Sequence, residues 1–228
     1  MGRKRRCLQS DETPAENGES LSRSAQRRQR EREQRYQTIL RAAETLFAQE
    51  GYHKAGMERI ADMAEVSVGT VYFYFKNKED LLLQLLDEIG YQLRNLLGRE
   101  FRQADMSLAG FERAGKVFFE EFCPHFPERL AIIFRESVGQ SPLVESHRKR
   151  IFDRLIADVR DALDRFQANR GLTFRSPLSS EVMAVCIMGM YERLAYQFLI
   201  WEDRTADLST IGEDAVAYIL GGIKNLCR

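Results

Sequence analysis

Residues 60–75 read Ile60-Ala61-Asp62-Met63-Ala64-Glu65-Val66-Ser67-Val68-Gly69-Thr70-Val71-Tyr72-Phe73-Tyr74-Phe75. Apolar side chains at Ile60, Ala64, Val66 and Val71 fall on the inner side of two short helices joined by a tight turn, which is a helix-turn-helix pattern. Small residues at Ala61 and Ala64 let the two helices approach closely. Ser67 is a good N-cap for the second helix, and it leaves first-turn N–H groups facing outward, where a phosphate can accept from them. The second helix is dense in polar and aromatic groups on its outer side, as an element entering a major groove should be.

Outward from this core, helical spacing continues in both directions. Tyr36, Ile39, Leu40, Ala43, Leu46 and Phe47 mark a helix that Gly51 stops. Asn77 caps a long helix beginning near Lys78, with Leu81, Leu82, Leu85, Leu86, Ile89, Leu93 and Leu96 as its apolar stripe. Further helices are predicted near 107–123, 126–138, 142–170, 179–202 and 207–226, broken at Pro124, Pro127, Pro142, Gly171 and Pro177. No segment alternates at period two for long, so the expected fold class is all-α. The expected organisation is a disordered basic arm (1–30), a helix-turn-helix domain (31–80) and a helical effector-binding and dimerisation domain (81–228).

Charge supports the arm more than the whole. The 34 Lys+Arg and 34 Asp+Glu cancel, yet residues 1–35 hold ten basic and six acidic side chains. Pro14, Gly18 and the scarcity of large aliphatics there leave too little apolar surface to offset ordering entropy. The arginines then read either as a solvated tail or as contacts to a DNA backbone or minor groove. Cys7, Cys123, Cys186 and Cys227 show no paired spacing, which suits a reducing cytoplasm rather than a disulfide framework. Neither a secretory signal nor a membrane-length apolar run is evident, and a cytoplasmic protein is expected.

The run from about Arg35 to Asp87 resembles the TetR-family DNA-binding domain. Ile60–Leu81, IADMAEVSVGTVYFYFKNKEDL, matches the family pattern at nearly every fixed position, and Ala42–Tyr52 is similar to its first helix. Two departures stand out. Glu65 replaces the usual turn glycine, at a cost of order 1 kcal/mol if the turn stays left-handed. Ala55 and Gly56 replace a Ser/Thr cap, worth about 1 kcal/mol.

The resemblance implies a dimeric, ligand-responsive regulator of a double-stranded DNA operator, read here as a repressor, and the Phe- and Met-rich body suits a small hydrophobic effector. The alternative is an effector-independent DNA-binding regulator controlled by a protein partner or by abundance. The resemblance also implies phosphate contacts from the Thr70 hydroxyl, the Tyr74 phenol and the Lys78 ammonium. Val68, Gly69, Tyr72 and Phe73 then occupy the base-reading face, while Val71 and Phe75 are core. That face offers no Arg, Asn or Gln for bidentate pairing, which shifts the reading towards thymine methyls, the Tyr72 hydroxyl and DNA shape.

In the second half, small residues interleave with apolar ones at helical spacing over 179–202 and 207–226, where the resemblance implies a four-helix subunit interface. Phe119, Phe122, Phe134, Met183, Met190 and Tyr191, with the polar Arg135, are candidate effector-pocket residues. The competing reading is that such a Phe/Met stripe is plain core and the Arg135-Glu136 pair a salt-bridged face. Cys123-Pro124-His125 with Glu128 has no second cluster to complete a metal site, so neither metal nor cofactor is expected. No phosphate-binding glycine loop or nucleophile elbow is present, and the chain is not expected to be an enzyme.

Overall fold

The computed structural model describes residues 22–103 and 107–227. In chain order the helices are α1 (Arg23–Glu50), α2 (Met57–Met63), α3 (Val68–Tyr74), α4 (Lys78–Gln103), α5 (Leu108–Val117), α6 (Cys123–His125), α7 (Pro127–Ala131), α8 (Pro142–Arg170), α9 (Ser179–Leu194) and α10 (Leu208–Leu226). Among the described residues there is no strand, only an isolated bridge between Phe174 and Cys227. The all-α expectation stands.

Residues 1–21 of the expected disordered arm lie outside the described residues. Arg23–Arg30, also assigned to that arm, are helical instead. The segment lacks Pro and Gly and consists largely of Arg and Gln, with one Ala, which are good helix formers. Ser22 Oγ accepts from Ala25 N at 3.3 Å, and Arg27 pairs with Glu31 one turn on.

Packing separates Met1–Arg35 from Tyr36–Arg228. It does not divide the chain near residue 80, because α4 serves both the helix-turn-helix and the helices that follow. Leu81, Leu82, Leu85, Leu86 and Ile89 are all fully buried along it. Asn77 Oδ1 caps α4 by accepting from Asp80 N at 2.8 Å, as read.

Three of the expected uniform helices contain π-helical segments, at Phe118–Phe122, Ile132–Glu136 and Ala195–Trp201. Such wide turns are uncommon and concentrate at functional places. By contrast, Pro142–Arg170 runs unbroken from the Ser141 cap to Gly171, whose φ of 61° ends it in a left-handed residue.

Candidate functional site

The helix-turn-helix closes as the sequence implies. Ser67 Oγ accepts from Thr70 N at 3.1 Å and lies 2.8 Å from Thr70 Oγ1. Glu65 has φ 54°, so the turn does need a left-handed residue where glycine is missing. Gly56 begins α2 without any side-chain cap. Val71 and Phe75 are buried, leaving the opposite side of α3 to solvent: Tyr72 is 50% and Phe73 71% exposed. Gly69 is exposed beside them, with Val68 and Thr70 half-buried at the start of the helix. A seven-residue helix thus presents two large aromatic rings outward.

Tyr74 and Lys78 are more constrained than their neighbours. The Tyr74 ring is half-buried, 6.2 Å from the Tyr36 ring and 5.2 Å from that of Phe73. Lys78 Nζ donates to the carbonyls of Tyr52 (2.7 Å) and His53 (3.1 Å), and lies 4.5 Å from the Tyr52 ring centre. Partial desolvation lowers its pKa. An ammonium has three donors, so one remains for an outside acceptor after these two. Lys78 therefore braces the turn after α1 as well as standing at the foot of α4.

The aromatic residues proposed as pocket fall into three different environments. Phe119 and Phe122 are fully buried core. Phe119 packs so closely on α10 that a Cβ at Gly212 would sit 3.0 Å from its own Cβ. Phe134 and Tyr191 line small internal cavities of about 30 and 20 Å³, which share Leu97, Met188 and Tyr191. Tyr191 stacks on Phe118 at 5.2 Å, and burial pushes its phenol pKa up. Met183 and Met190 belong to neither place. They lie along an open groove of about 480 Å³ between α9 and α10.

Arg135 lines none of these cavities and is engaged with α1 instead. Its guanidinium donates to the Ala48 carbonyl at 3.0 Å and to Glu136 Oε1 at 2.6 Å. Glu136 Oε2 in turn accepts from Tyr52 N at 2.8 Å. The pair clamps the end of α1 and the turn that follows, satisfying backbone groups left open there. Ile133 and Phe134, the two residues before Arg135 on the same π segment, face the cavity beside Tyr191. Arg129 adds a second tie, to Glu44 on α1 and Gln92 on α4. Sequence reading missed these roles because the partners are 37 to 87 positions apart.

The α9/α10 face is apolar and open. Val182 is 56% and Tyr218 78% exposed, and Cβ atoms added at Gly189, Gly221 or Gly222 would meet nothing within 4 Å. Among the described residues, no group of His, Cys, Asp or Glu could hold a metal ion. No described helix is long and apolar enough to cross a membrane.

Comparison with known proteins fits this geometry. Residues 39–85 match the family model of "Bacterial regulatory proteins, tetR family". A Bacillus subtilis "Fatty acid metabolism regulator protein" is 46% identical over 54 residues, which are 24% of this chain and only 28% of that relative. The "HTH-type transcriptional activator FasR" of Mycolicibacterium smegmatis is 26% identical over 195 residues, 86% of this chain and 85% of that one. The crystal structure of the transcriptional regulator FadR from Bacillus subtilis in complex with stearoyl-CoA superposes with a TM-score of 0.72. It covers 82% of this chain and 98% of that one, at 19% identity, so the fold is shared along nearly the whole body. Residues 39–85 thus match the tetR family of bacterial regulatory proteins in sequence, and the helical body that follows shares the fold of solved transcriptional regulators.

Proposed function

We propose that the chain is a ligand-responsive DNA-binding transcriptional regulator, a repressor that leaves its operator when a hydrophobic small molecule enters the body. The observation that carries this reading is the outward pair Tyr72 and Phe73 on a capped, seven-residue second helix of a helix-turn-helix. Val68, Gly69, Tyr72 and Phe73 are the base-reading positions. Thr70, Tyr74 and the remaining donor of Lys78 contact phosphates.

The α9/α10 groove takes a second copy of this chain. Its glycines leave room for a close helix, and its exposed Val182 and Tyr218 gain by burial. Two heads can then reach successive major grooves about 34–36 Å apart. Met183 and Met190, set along this groove, serve the subunit contact rather than the effector.

The effector site is the interior around Tyr191 and Phe134, lined also by Leu97 and Met188. Its apolar walls suit a fatty acyl chain. The metabolism named for the Bacillus subtilis relative and the stearoyl-CoA bound by FadR support that class. The π segment Ile132–Glu136 is the relay. An occupant pressing on Ile133 and Phe134 shifts Arg135 and Glu136, and with them the end of α1. The ligand must bind the DNA-competent and DNA-incompetent arrangements unequally, since equal affinity moves nothing.

Selection of bound DNA from a random pool tests the reading. A near-palindrome with a steep salt dependence is expected. No enriched sequence from a folded dimer would overturn it. The activator named in Mycolicibacterium smegmatis favours the opposite sign of regulation. A promoter fused to a reporter decides between them: deleting the gene raises expression for a repressor and lowers it for an activator.

A further inference from the structure

A second groove, of about 370 Å³, runs between α4 and α8. Its rim carries charge: Arg94 from α4, beside the neutral amide of Asn95, and Asp158, Asp161 and Arg165 from α8. Its floor is aliphatic, and there Leu97, Leu155 and Val159 are the same side chains that wall the internal cavities. Inward from the surface the order is therefore charged, aliphatic, then aromatic at Tyr191. That order matches a molecule with an ionic head and a long apolar tail.

The groove is tied shut by one bidentate ion pair. Arg94 Nε and Nη2 donate to the two carboxylate oxygens of Asp158 at 2.5 and 2.9 Å, spanning from α4 to α8. The internal cavities amount to tens of cubic ångströms, whereas drug-sized ligands need roughly 300–1,000 Å³. A tail can enter only if the two helices part. A phosphate or carboxylate head offers the Arg94 fork the same paired oxygens as Asp158. It can therefore displace the carboxylate and release the tie in the act of binding. The helices touch closely at Gly90, where an added Cβ would sit 2.8 Å from Ile151 Cγ2, so parting at Leu97 levers α4 about that contact.

We infer that the α4/α8 groove is the mouth and head-group subsite for an anionic amphiphile, held by Arg94 in place of Asp158, with its acyl tail passing Leu97 towards Tyr191. This rests on the effector reading above and adds where the ligand enters and what it displaces.

Arg94→Gln and Asp158→Asn break the same ion pair, yet they have opposite consequences for a ligand that competes for it. The full chain is titrated by calorimetry, without DNA, against stearoyl-CoA and against stearate. Arg94→Gln should weaken binding about tenfold, the loss of a charge-assisted hydrogen-bonding partner. Asp158→Asn frees Arg94 from its competitor and should tighten binding several-fold. Tightening for stearoyl-CoA alone assigns the head to phosphates, tightening for stearate alone assigns it to a carboxylate, and tightening for both shows a fork that accepts either anion; each supports the inference. Equal shifts of the same sign in both variants, no shift in either, or no binding of either probe to the wild type would overturn it. Both side chains are about half exposed, and unchanged melting of each variant checks that the fold is intact. The titration contains no DNA, so its failure is distinct from failure of the operator selection.

Discussion

Two aromatic clusters in this chain have opposite fates. In α3, Tyr72 and Phe73 point into solvent although burial of either ring would be favourable. In the π segment 118–122, Phe118, Phe119 and Phe122 are buried almost completely. The sequences are similarly rich in aromatics, so residue type alone does not separate them. What separates them is the helix around each. α3 has seven residues and only Val71 buried, with Phe75 just beyond, so its outer face stays largely open to solvent. The 118–122 segment is enclosed by α9 and α10, where Tyr191 stacks on Phe118 and Gly212 admits Phe119. Exposed rings on a well-capped helix indicate a surface used for contact; buried rings indicate a body whose interior must deform to admit anything.

The largest expected effect concerns neither cluster but the face that lets two heads act together. Gly222→Arg should convert the dimer to monomer in analytical ultracentrifugation. Operator affinity should fall on the order of 10³-fold, towards the non-specific level. A monomeric variant that retained full operator affinity would remove the subunit contact from the account.

The aromatic comparison is sharpened by one substitution in each cluster. Phe122→Ala should lower unfolding free energy by about 3–5 kcal/mol in denaturant titration, the usual cost of a large core cavity. It should leave base preference unchanged. Tyr72→Ala should alter base preference by about 1–3 kcal/mol and leave the denaturation midpoint close to wild type. Exchange of these outcomes would break the comparison.

Lys78→Ala combines both kinds of effect on a smaller scale. It should reduce the slope of log affinity against log salt by about 1, for one lost phosphate contact. It should also cost about 1 kcal/mol of stability, because the Tyr52 and His53 carbonyls lose their donor. An unchanged salt slope with reduced stability would make Lys78 a brace alone. The smallest effect is at Glu65, whose φ of 54° suits glycine better. Glu65→Gly should raise stability by up to about 1 kcal/mol, read from the melting temperature.

The head was legible because its determinants are local. The Ser67 and Asn77 caps act within three residues of themselves, and Val71 and Phe75 recur one helical turn apart. Even the penalty at Glu65 could be anticipated from the turn it occupies. The body was legible as helices but not as sites. The Phe/Met stripe holds core (Phe122), cavity wall (Phe134) and an outward groove (Met190), and periodicity gives all three the same signature. Arg135 was assigned to a pocket because a charge among apolar residues suggests ligand orientation. Its actual acceptor at Ala48 lies 87 positions away, and no local pattern encodes that distance. The helical Arg23–Arg30 segment was underestimated for another reason: low hydrophobicity argues against a core but not against an isolated helix of good formers.

The central claim is that occupation of the body is read at the head through the π segment 132–136. The most direct measurement is the factor by which saturating stearoyl-CoA lowers operator affinity, compared between wild type and Glu136→Gln. The variant leaves the cavity walls intact but replaces the carboxylate that holds Tyr52 N and Arg135. A wild-type factor in the range of about 5–150-fold is expected, typical of coupled sites. In Glu136→Gln that factor should collapse towards one while calorimetry reports unchanged ligand affinity for the DNA-free protein. An undiminished factor in the variant would contradict the relay, and a factor of one in the wild type would contradict ligand control by this class of molecule.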